Sequence, residues 1–325
     1  MCAFPVGRKA GMEIKAISLS ESKYFNRLGF LKDPPERLYY YGVLPEFSGE
    51  LPVNPRFPLE GEGRPRTVAI VGSRKMTAYG ETWAFKLAKE LAELGVVIVS
   101  GMALGIDAAA HRGALAGGGR TIAFLGTSIS QIYPVENKRL FRDILECGGC
   151  VLSEYPPDVD LGPKLRTNSF LLRNRLIAGI SDAVIVVEAD ERSGSLNTAS
   201  HALEQGVPLF AVPGDLSRQM SRGCNLLFGK GALAVTCADD VMSVIYPGST
   251  KRRRKKAKTE MLANSDDEKA ILYAISRGMT SCEEILKVLR EQWPLFDVSR
   301  FNIAITTLEL KGVVKREYGN QWILA

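Results

Sequence analysis

An α/β fold, a doubly wound and mostly parallel sheet followed by a small helical domain, is what the sequence predicts, and three observations carry it. Val68 to Val71 and Val96 to Val99 are short apolar runs joined by a segment with helix-spaced apolar residues, Tyr79 to Leu94. A strand, a crossover helix and a second buried strand make a βαβ unit, which closes right-handed with its strands parallel. The same rhythm recurs to about Tyr246, and beyond Ser265 the texture changes to closely spaced helix caps.

In the opening unit the first strand stops at Gly72-Ser73-Arg74. The helix then carries Trp83, Leu87, Ala88, Leu91 and Leu94 at helical spacing, and Gly95 ends it. Further strands are expected at Thr121 to Leu125, Val151 to Ser153, Ala183 to Glu188, Leu209 to Val212 and Ala232 to Thr236. Helices are expected at Ile106 to Ala116, Glu136 to Glu146, Leu171 to Ile180, Leu196 to Gln205 and Asn225 to Phe228. Alternation on this scale predicts a Rossmann-like domain over residues 67–246.

Residues 1–66, rich in Pro, Gly and charge, read as an N-terminal extension with a helix-like patch at Ser18 to Leu28 and an edge strand at Arg37 to Val43, and Pro52 to Pro65 read as loop. Residues 247–264 form a basic linker. In residues 265–325, Ser265 with Glu268 and Ser281 with Glu284 make capping boxes, Ser299 can cap a third helix that Gly312 ends, and VVKRE with QWIL reads as a hairpin. Three short helices and a hairpin predict a winged helix, a module that reads duplex DNA or docks proteins. Its third helix offers Arg300, Asn302, Thr306 and Thr307, and its wing Lys315 and Arg316.

The net charge is +6, but KRRRKKAK at Lys251 to Lys258 carries seven positive charges and leaves about −1 for the remainder. Any nucleic-acid site on the sheet domain must therefore be a local patch. No apolar run reaches the length of a membrane span and the first residues lack a secretory apolar core, so a cytoplasmic protein without membrane contact is expected. Six scattered cysteines and two histidines give no disulfide framework and no metal-ligand pattern, and Cys147-Gly-Gly-Cys150 leads into a strand. Neither G-x-G-x-x-G after the first strand nor G-x-x-x-x-G-K-[ST] is present, so no cofactor is expected.

Open parallel sheets bind ligands beyond the carboxyl ends of their strands. There Gly72, Ser73, Ser100 and Gly101 let a ligand approach the backbone, helix starts favour an anion, and Arg74 supplies a fork suited to phosphate. The segment KLRTNSFLLRNR interleaves Lys164, Arg166, Arg173 and Arg175 with Asn168 and Phe170, a composition suited to single-stranded nucleic acid. The same residues also fit a structural reading, with Phe170 in the core and Arg173 and Arg175 bridging to Asp182 or Glu188. Ser193-Gly194-Ser195 opens another helix, where it either receives an anion or simply caps. Asp107 and His111, four apart, read as a buried network holding the pocket loops, the alternative being an acid–base pair. Lys138 extends a basic groove or faces solvent.

Taken together, GSR at Gly72, SGMALGIDAAAH at Ser100, YPVEN at Tyr133, LSE at Leu152, NSFLLRNRLIAGIS at Asn168, EADERSGSLNTA at Glu188 and VPGD at Val212 resemble the DNA-processing protein A (DprA/Smf) family from about Pro34 to Val241. The winged helix resembles the one many members carry. The resemblance implies a non-enzymatic protein that binds single-stranded DNA, protects it and delivers it to a RecA-type recombinase in natural transformation. It also implies a homodimer formed through the sheet domain. It favours DNA contact at Phe170; Arg175 and Glu188, by contrast, are read from their own setting as pocket-structural. The chain departs from the family pattern at Thr167, where a lysine is common, at Leu171, where a proline is common, and in the partly kept glycine turn at Gly126. Two other classes compete. A nucleoside-monophosphate phosphoribohydrolase or nucleotide sensor would use the same loops, but His201 stands where the hydrolase needs a glutamate. A transcription regulator would use the winged helix.

Overall fold

The computed structural model describes residues 13–22, 25–44, 65–246, 265–276, 279–294, 296–317 and 321–324. The basic run at 251–258 and most of the loop expected at Pro52 to Pro65 lie outside them. The chain divides into two compact units, Met1–Pro247 and Gly248–Ala325.

The first unit is built on β1 (Lys15–Ser18), β2 (Arg37–Gly42), β3 (Thr67–Val71), β4 (Val97–Ser100), β5 (Thr121–Phe124), β6 (Cys150–Ser153), β7 (Ala183–Val186), β8 (Leu209–Ala211) and β9 (Leu233–Ala234). They form one sheet in the order β1-β2-β6-β5-β4-β3-β7-β8-β9. The strands from β6 to β9 in that order run parallel, and β1 and β2 add an antiparallel edge. The helices are α1 (Ala78–Glu93), α2 (Ile106–Ala116), α3 (Lys138–Glu146), α4 (Gly162–Gly179), α5 (Ser195–Glu204), α6 (Gln219–Phe228) and α7 (Ala238–Ile245).

Strand alternation sends Val68 and Ile70 to one face, with buried residues of α1, α2 and α7, and Ala69 and Val71 to the other, with those of α4, α5 and α6. Both faces are therefore dry, which is why β3, β4, β5 and β7 read as unbroken apolar runs. Burying a side chain such as Ile70 contributes about 1.5–3 kcal/mol. Thr77 caps α1 by accepting from Gly80 N–H at 3.3 Å, and Gly95 follows the helix in the left-handed region at φ 83°.

The chain lays down β3, β4, β5 and β6 in one direction and returns through α4 to place β7 on the other side of β3. Strand order thus reverses between β3 and β7, and a crevice must open at their carboxyl ends.

Three expectations are corrected. The patch at Ser18 to Leu28 is no regular helix: Lys15–Ser18 is a strand paired with β2, followed by 3-10 turns at Leu19–Glu21 and Asn26–Phe30. Burial explains this, since Phe25 and Leu28 join the core layer of Leu176 and Ile177. Helix α4 begins at Gly162 rather than Leu171, with Pro163 in its first turn, where a missing N–H costs nothing. Helix α7 was not foreseen.

Cys150, Cys224, Cys237 and Cys282 are free thiols, and burial pushes the Cys224 thiol up to about 12. Cys147 is disulfide-bonded, against the expectation of no disulfide framework, and Cys150 is not its partner. Among the described residues no His, Cys, Asp and Glu group of three is placed to hold a metal, and no helix is long and apolar enough to cross a membrane.

The second unit holds α8 (Asp266–Ser276), α9 (Cys282–Gln292), α10 (Val298–Leu310) and the antiparallel hairpin β10 (Val314–Glu317) with β11 (Gln321–Leu324). Ile271, Ile285, Leu289, Phe301, Ile305 and Trp322 belong to its core, with the Phe301 and Trp322 rings edge to face at 5.4 Å. Ser265 and Ser281 cap their helices as expected. Asp297, not Ser299, caps α10, accepting from Arg300 N–H at 2.9 Å. The cations of α10 are engaged: Arg300 pairs with Asp267, and Lys311, just past its end, with Glu268.

Candidate nucleic-acid interface

The crevice between β3 and β7 is bridged by the protein itself. Glu188, just beyond β7 and buried, accepts from Thr77 N–H at 2.8 Å and Thr77 hydroxyl at 2.6 Å at the start of α1. A carboxylate there satisfies the helix start and its dipole. A Cβ on Gly80 would fall 2.1 Å from Glu188 Oε2, so only glycine admits the carboxylate. Ser73 N–H donates to Glu188 O at 2.7 Å, and Ser73 hydroxyl accepts from Lys75 N–H at 3.0 Å. Gly72 is equally tight, its hypothetical Cβ 2.7 Å from Ile106.

The next loop is filled in the same way. Asp107 Oδ2 accepts from Gly101 N–H at 3.1 Å and Ala103 N–H at 3.4 Å, and Arg173 Nη1 donates to Gly101 O at 2.7 Å. Ser100 hydroxyl turns inward to Ile70 O at 2.6 Å. Arg173, 4% exposed, also donates to Phe124 O and to Asn174 Oδ1. Burial pulls Arg173 down to about 10, with the Arg74 charge adding to the effect and Asp107 opposing it; it still carries its charge at neutral pH. Burial pushes the Asp107 carboxyl up, and Arg173 counters it.

These contacts correct four expectations. The Ser73 and Gly101 N–H groups and the Ser100 hydroxyl are internally bonded rather than open to a phosphate, and Arg173 is an interior clamp rather than a groove cation. The physical reason is common to all four: a loop packed this tightly must satisfy its polar groups without water.

Arg175 is likewise interior, forming a fork with Glu154 at 2.7 and 3.1 Å and donating to Asp33 O at 2.8 Å; neither Asp182 nor Glu188 is its partner. Asp182 instead holds Arg27 and Arg66. Asp107 and His111 do not touch. His111 Nδ1 lies 2.7 Å from Thr121 Oγ1, whose proton goes to Ile98 O, so the imidazole carries its proton on Nδ1. Burial, with Arg173 and Arg112 adding to it, pulls His111 down to about 3, which leaves it neutral and removes the acid–base reading.

The outward layer is different in kind. Arg74 is exposed, and its guanidinium carbon sits 5.0 Å from the centre of the Phe170 ring. Tyr133, 39% exposed, lies 5.5 Å from Phe170 with the rings inclined by 35°. Phe170 fits because residue 126 is glycine: a Cβ there would come within 2.5 Å of its ring. Ser169 fixes this turn of α4 by donating to Gly126 O at 2.5 Å, while Asn168 faces solvent.

Asn137 Nδ2 donates to Met102 O at 2.8 Å and Ala103 O at 3.2 Å, tying the loop after β4 to the start of α3. That tie leaves Lys138 exposed on the first turn of α3. The sequence marked Phe170 but did not mark Tyr133 as a ring partner; only tertiary proximity brings them together.

At the start of α5, the Ser193 and Ser195 hydroxyls lie 2.7 Å apart and the Ser193 hydroxyl accepts from Ser195 N–H at 3.4 Å. Of the three helix starts singled out from sequence, that of α1 carries Glu188, that of α2 donates Ile106 N–H to Ser73 O at 3.2 Å, and that of α5 has Gly194 exposed. The side chains of Lys164 and Arg166 lie outside the described residues. Of the residues singled out at this edge, Arg74, Tyr133, Asn168, Lys138 and Gly194 are exposed, Phe170 and Ser193 partly so, and Ser195 is buried.

Known proteins share this arrangement of sheet and loops. Protein Smf of Escherichia coli is 46% identical over 181 residues, 56% of this chain and 47% of its own, so the chain spans about half the length of that relative. The structure of DNA processing protein A from Streptococcus pneumoniae matches 71% of this chain and 74% of its own, at 37% identity and a TM-score of 0.60. A DNA processing protein A from Helicobacter pylori, described for its single-stranded DNA binding mode, matches 71% of this chain and 94% of its own, at 35% identity and a TM-score of 0.57. The family model for DNA recombination-mediator protein A matches residues 56–246, the whole of the parallel sheet with its helices, and the chain belongs to that family.

Proposed function

We propose that this chain binds single-stranded DNA along the carboxyl edge of its sheet and, without chemistry of its own, passes it to a RecA-type recombinase during natural transformation. The observation that carries the reading is the exposed Arg74 guanidinium over the Phe170 ring, with Tyr133 alongside. A cation for the backbone beside rings for bases is the pattern of sequence-tolerant single-strand recognition. The Helicobacter pylori relative, described for binding single strands, supports the same ligand. Protection of the strand, recombinase delivery and a homodimer through the sheet domain are further parts of this proposal, for which likeness to the family is the support.

The hydrolase alternative is disfavoured by the residue three beyond Thr198. His201 stands there, and its ring faces Glu204 at 3.3 Å on the same helix. A duplex-reading regulator is disfavoured by α10, whose Arg300 is held by Asp267.

The test is fluorescence anisotropy of labelled single-stranded and duplex oligonucleotides at several salt concentrations, with the full chain and with Arg74→Glu. The proposal expects preference for single strands, loss of binding with Arg74→Glu and a salt slope of about −0.7 per phosphate contacted. Unchanged binding by Arg74→Glu would place the DNA contact elsewhere in the chain.

A further inference from the structure

A second set of rings and cations lies on α1 and the loop after β8, apart from the Phe170 stack. Tyr79 and Trp83 are one helical turn apart, with ring centres 6.2 Å from each other. Arg218, exposed, stands 5.8 Å from the Tyr79 ring, and the Lys86 ammonium stands 4.8 Å from the Trp83 ring. The four side chains alternate cation, ring, ring, cation along one side of the helix that follows Arg74.

Their setting is rigid. Tyr79 hydroxyl donates to Pro213 O at 2.7 Å, which ties the first turn of α1 to the loop after β8. Both rings lean on the buried layer beneath α1 and remain half-buried, so neither can fold away from solvent. Lys86 also faces Glu90, which accepts from Ala238 N–H, at 3.9 Å, a loose and partly exposed pair worth little.

We infer that Tyr79 and Trp83, bracketed by Arg218 and Lys86, form a second stacking subsite for single-stranded DNA, reached by a strand that passes Arg74 and continues along α1. The inference rests on the proposed single-strand function. Its chemistry is the same as that of the first stack: π faces accept any base, and cations on either side take the flanking phosphates. The subsite lengthens the footprint without adding sequence preference.

Single-strand sites of this kind span roughly 4–16 nucleotides, so oligothymidylates of about 5 and about 20 nucleotides separate the two stacks. The full chain is titrated with each, following anisotropy and tryptophan fluorescence. The long oligomer is expected to bind more tightly and to quench fluorescence, and Trp83→Phe is expected to remove the quenching while binding persists. Trp83→Ala, and independently Lys86→Glu with Arg218→Glu on the exposed surface, should each lose about tenfold for the long oligomer and leave the short one unchanged. Equal losses for both lengths, or tight binding of the long oligomer with no change in Trp83 fluorescence and no effect of the charge reversals, would overturn the subsite while leaving the Phe170 site intact. Failure of both lengths to bind would remove the single-strand reading itself.

Discussion

Two layers of charge lie at the same edge of the sheet, and they obey opposite rules. The inner layer of Glu188, Asp107, Arg173 and Arg175 is at most 6% exposed, and each member is bonded to a loop backbone or to an opposite charge. The outer layer of Arg74 and Lys138, with the neutral Asn168 beside it, faces solvent. Buried charges are tolerated only when paired, so the inner layer is committed to holding loops. Exposed cations are individually weak in water and become valuable when a polyanion supplies many partners at once. Residues of the same type, Arg74 and Arg173, therefore do different work because of depth alone.

Removing an inner charge is expected to have the largest effect. Arg173→Ala leaves the buried carbonyls of Gly101 and Phe124 without their donor and is expected to cost about 1–3 kcal/mol for each, read from urea unfolding. A loss of DNA affinity with stability unchanged would move Arg173 to the outer layer. The outer layer is tested by Phe170→Ala, expected to weaken single-strand binding by about 1–3 kcal/mol at constant salt.

His111 sharpens the distinction through pH. Its folded value, about 3, lies below the ordinary value of 6.5, so the unfolded chain binds the extra proton. Stability is then full above pH 6.5 and falls as pH drops from there toward 3, by up to about 1.4 kcal/mol per pH unit. Unfolding curves for the parent and His111→Gln at pH 7 and pH 5 should converge on acidification; parallel curves would show that the imidazole does not titrate on unfolding. The smallest effect is expected from Thr77→Ala, which removes the cap of α1 and one partner of Glu188 for about 1 kcal/mol, measured by thermal unfolding.

Much of the fold was legible because both sheet faces are dry and the helices are punctuated. Ile106–Ala116 was read with its observed bounds, and Gly95 and Gly312 mark their helix ends. The misses have local causes. The helix Ala238–Ile245 starts at Cys237 with Asp240 returning to its backbone, and a cysteine is not a signal one reads as a cap. Asp297 and Ser299 both suit an N-cap, and only the observed backbone chooses between them.

In the site, the residue types were visible but their depth was not. Ser169 and Arg173 lie four apart on α4 and face the sheet, while Asn168 and Phe170 beside them face outward or partly so. That division depends on how α4 is rotated against β5, which no local pattern encodes. Glu188 reaching across to Thr77 is a contact over 111 residues of chain and was equally invisible.

That reach has a further consequence. Because the carboxylate rivets the two sides of the crevice together, the strand proposed to bind at this edge would lie on a closed rim instead of sinking into a slot. One flank of it would stay wet, and arrival and departure would need no gate to swing. Residence on such a rim would be set by how many weak grips engage at once, so that a strand could be peeled away from one end, grip by grip, by whatever took hold of its free side.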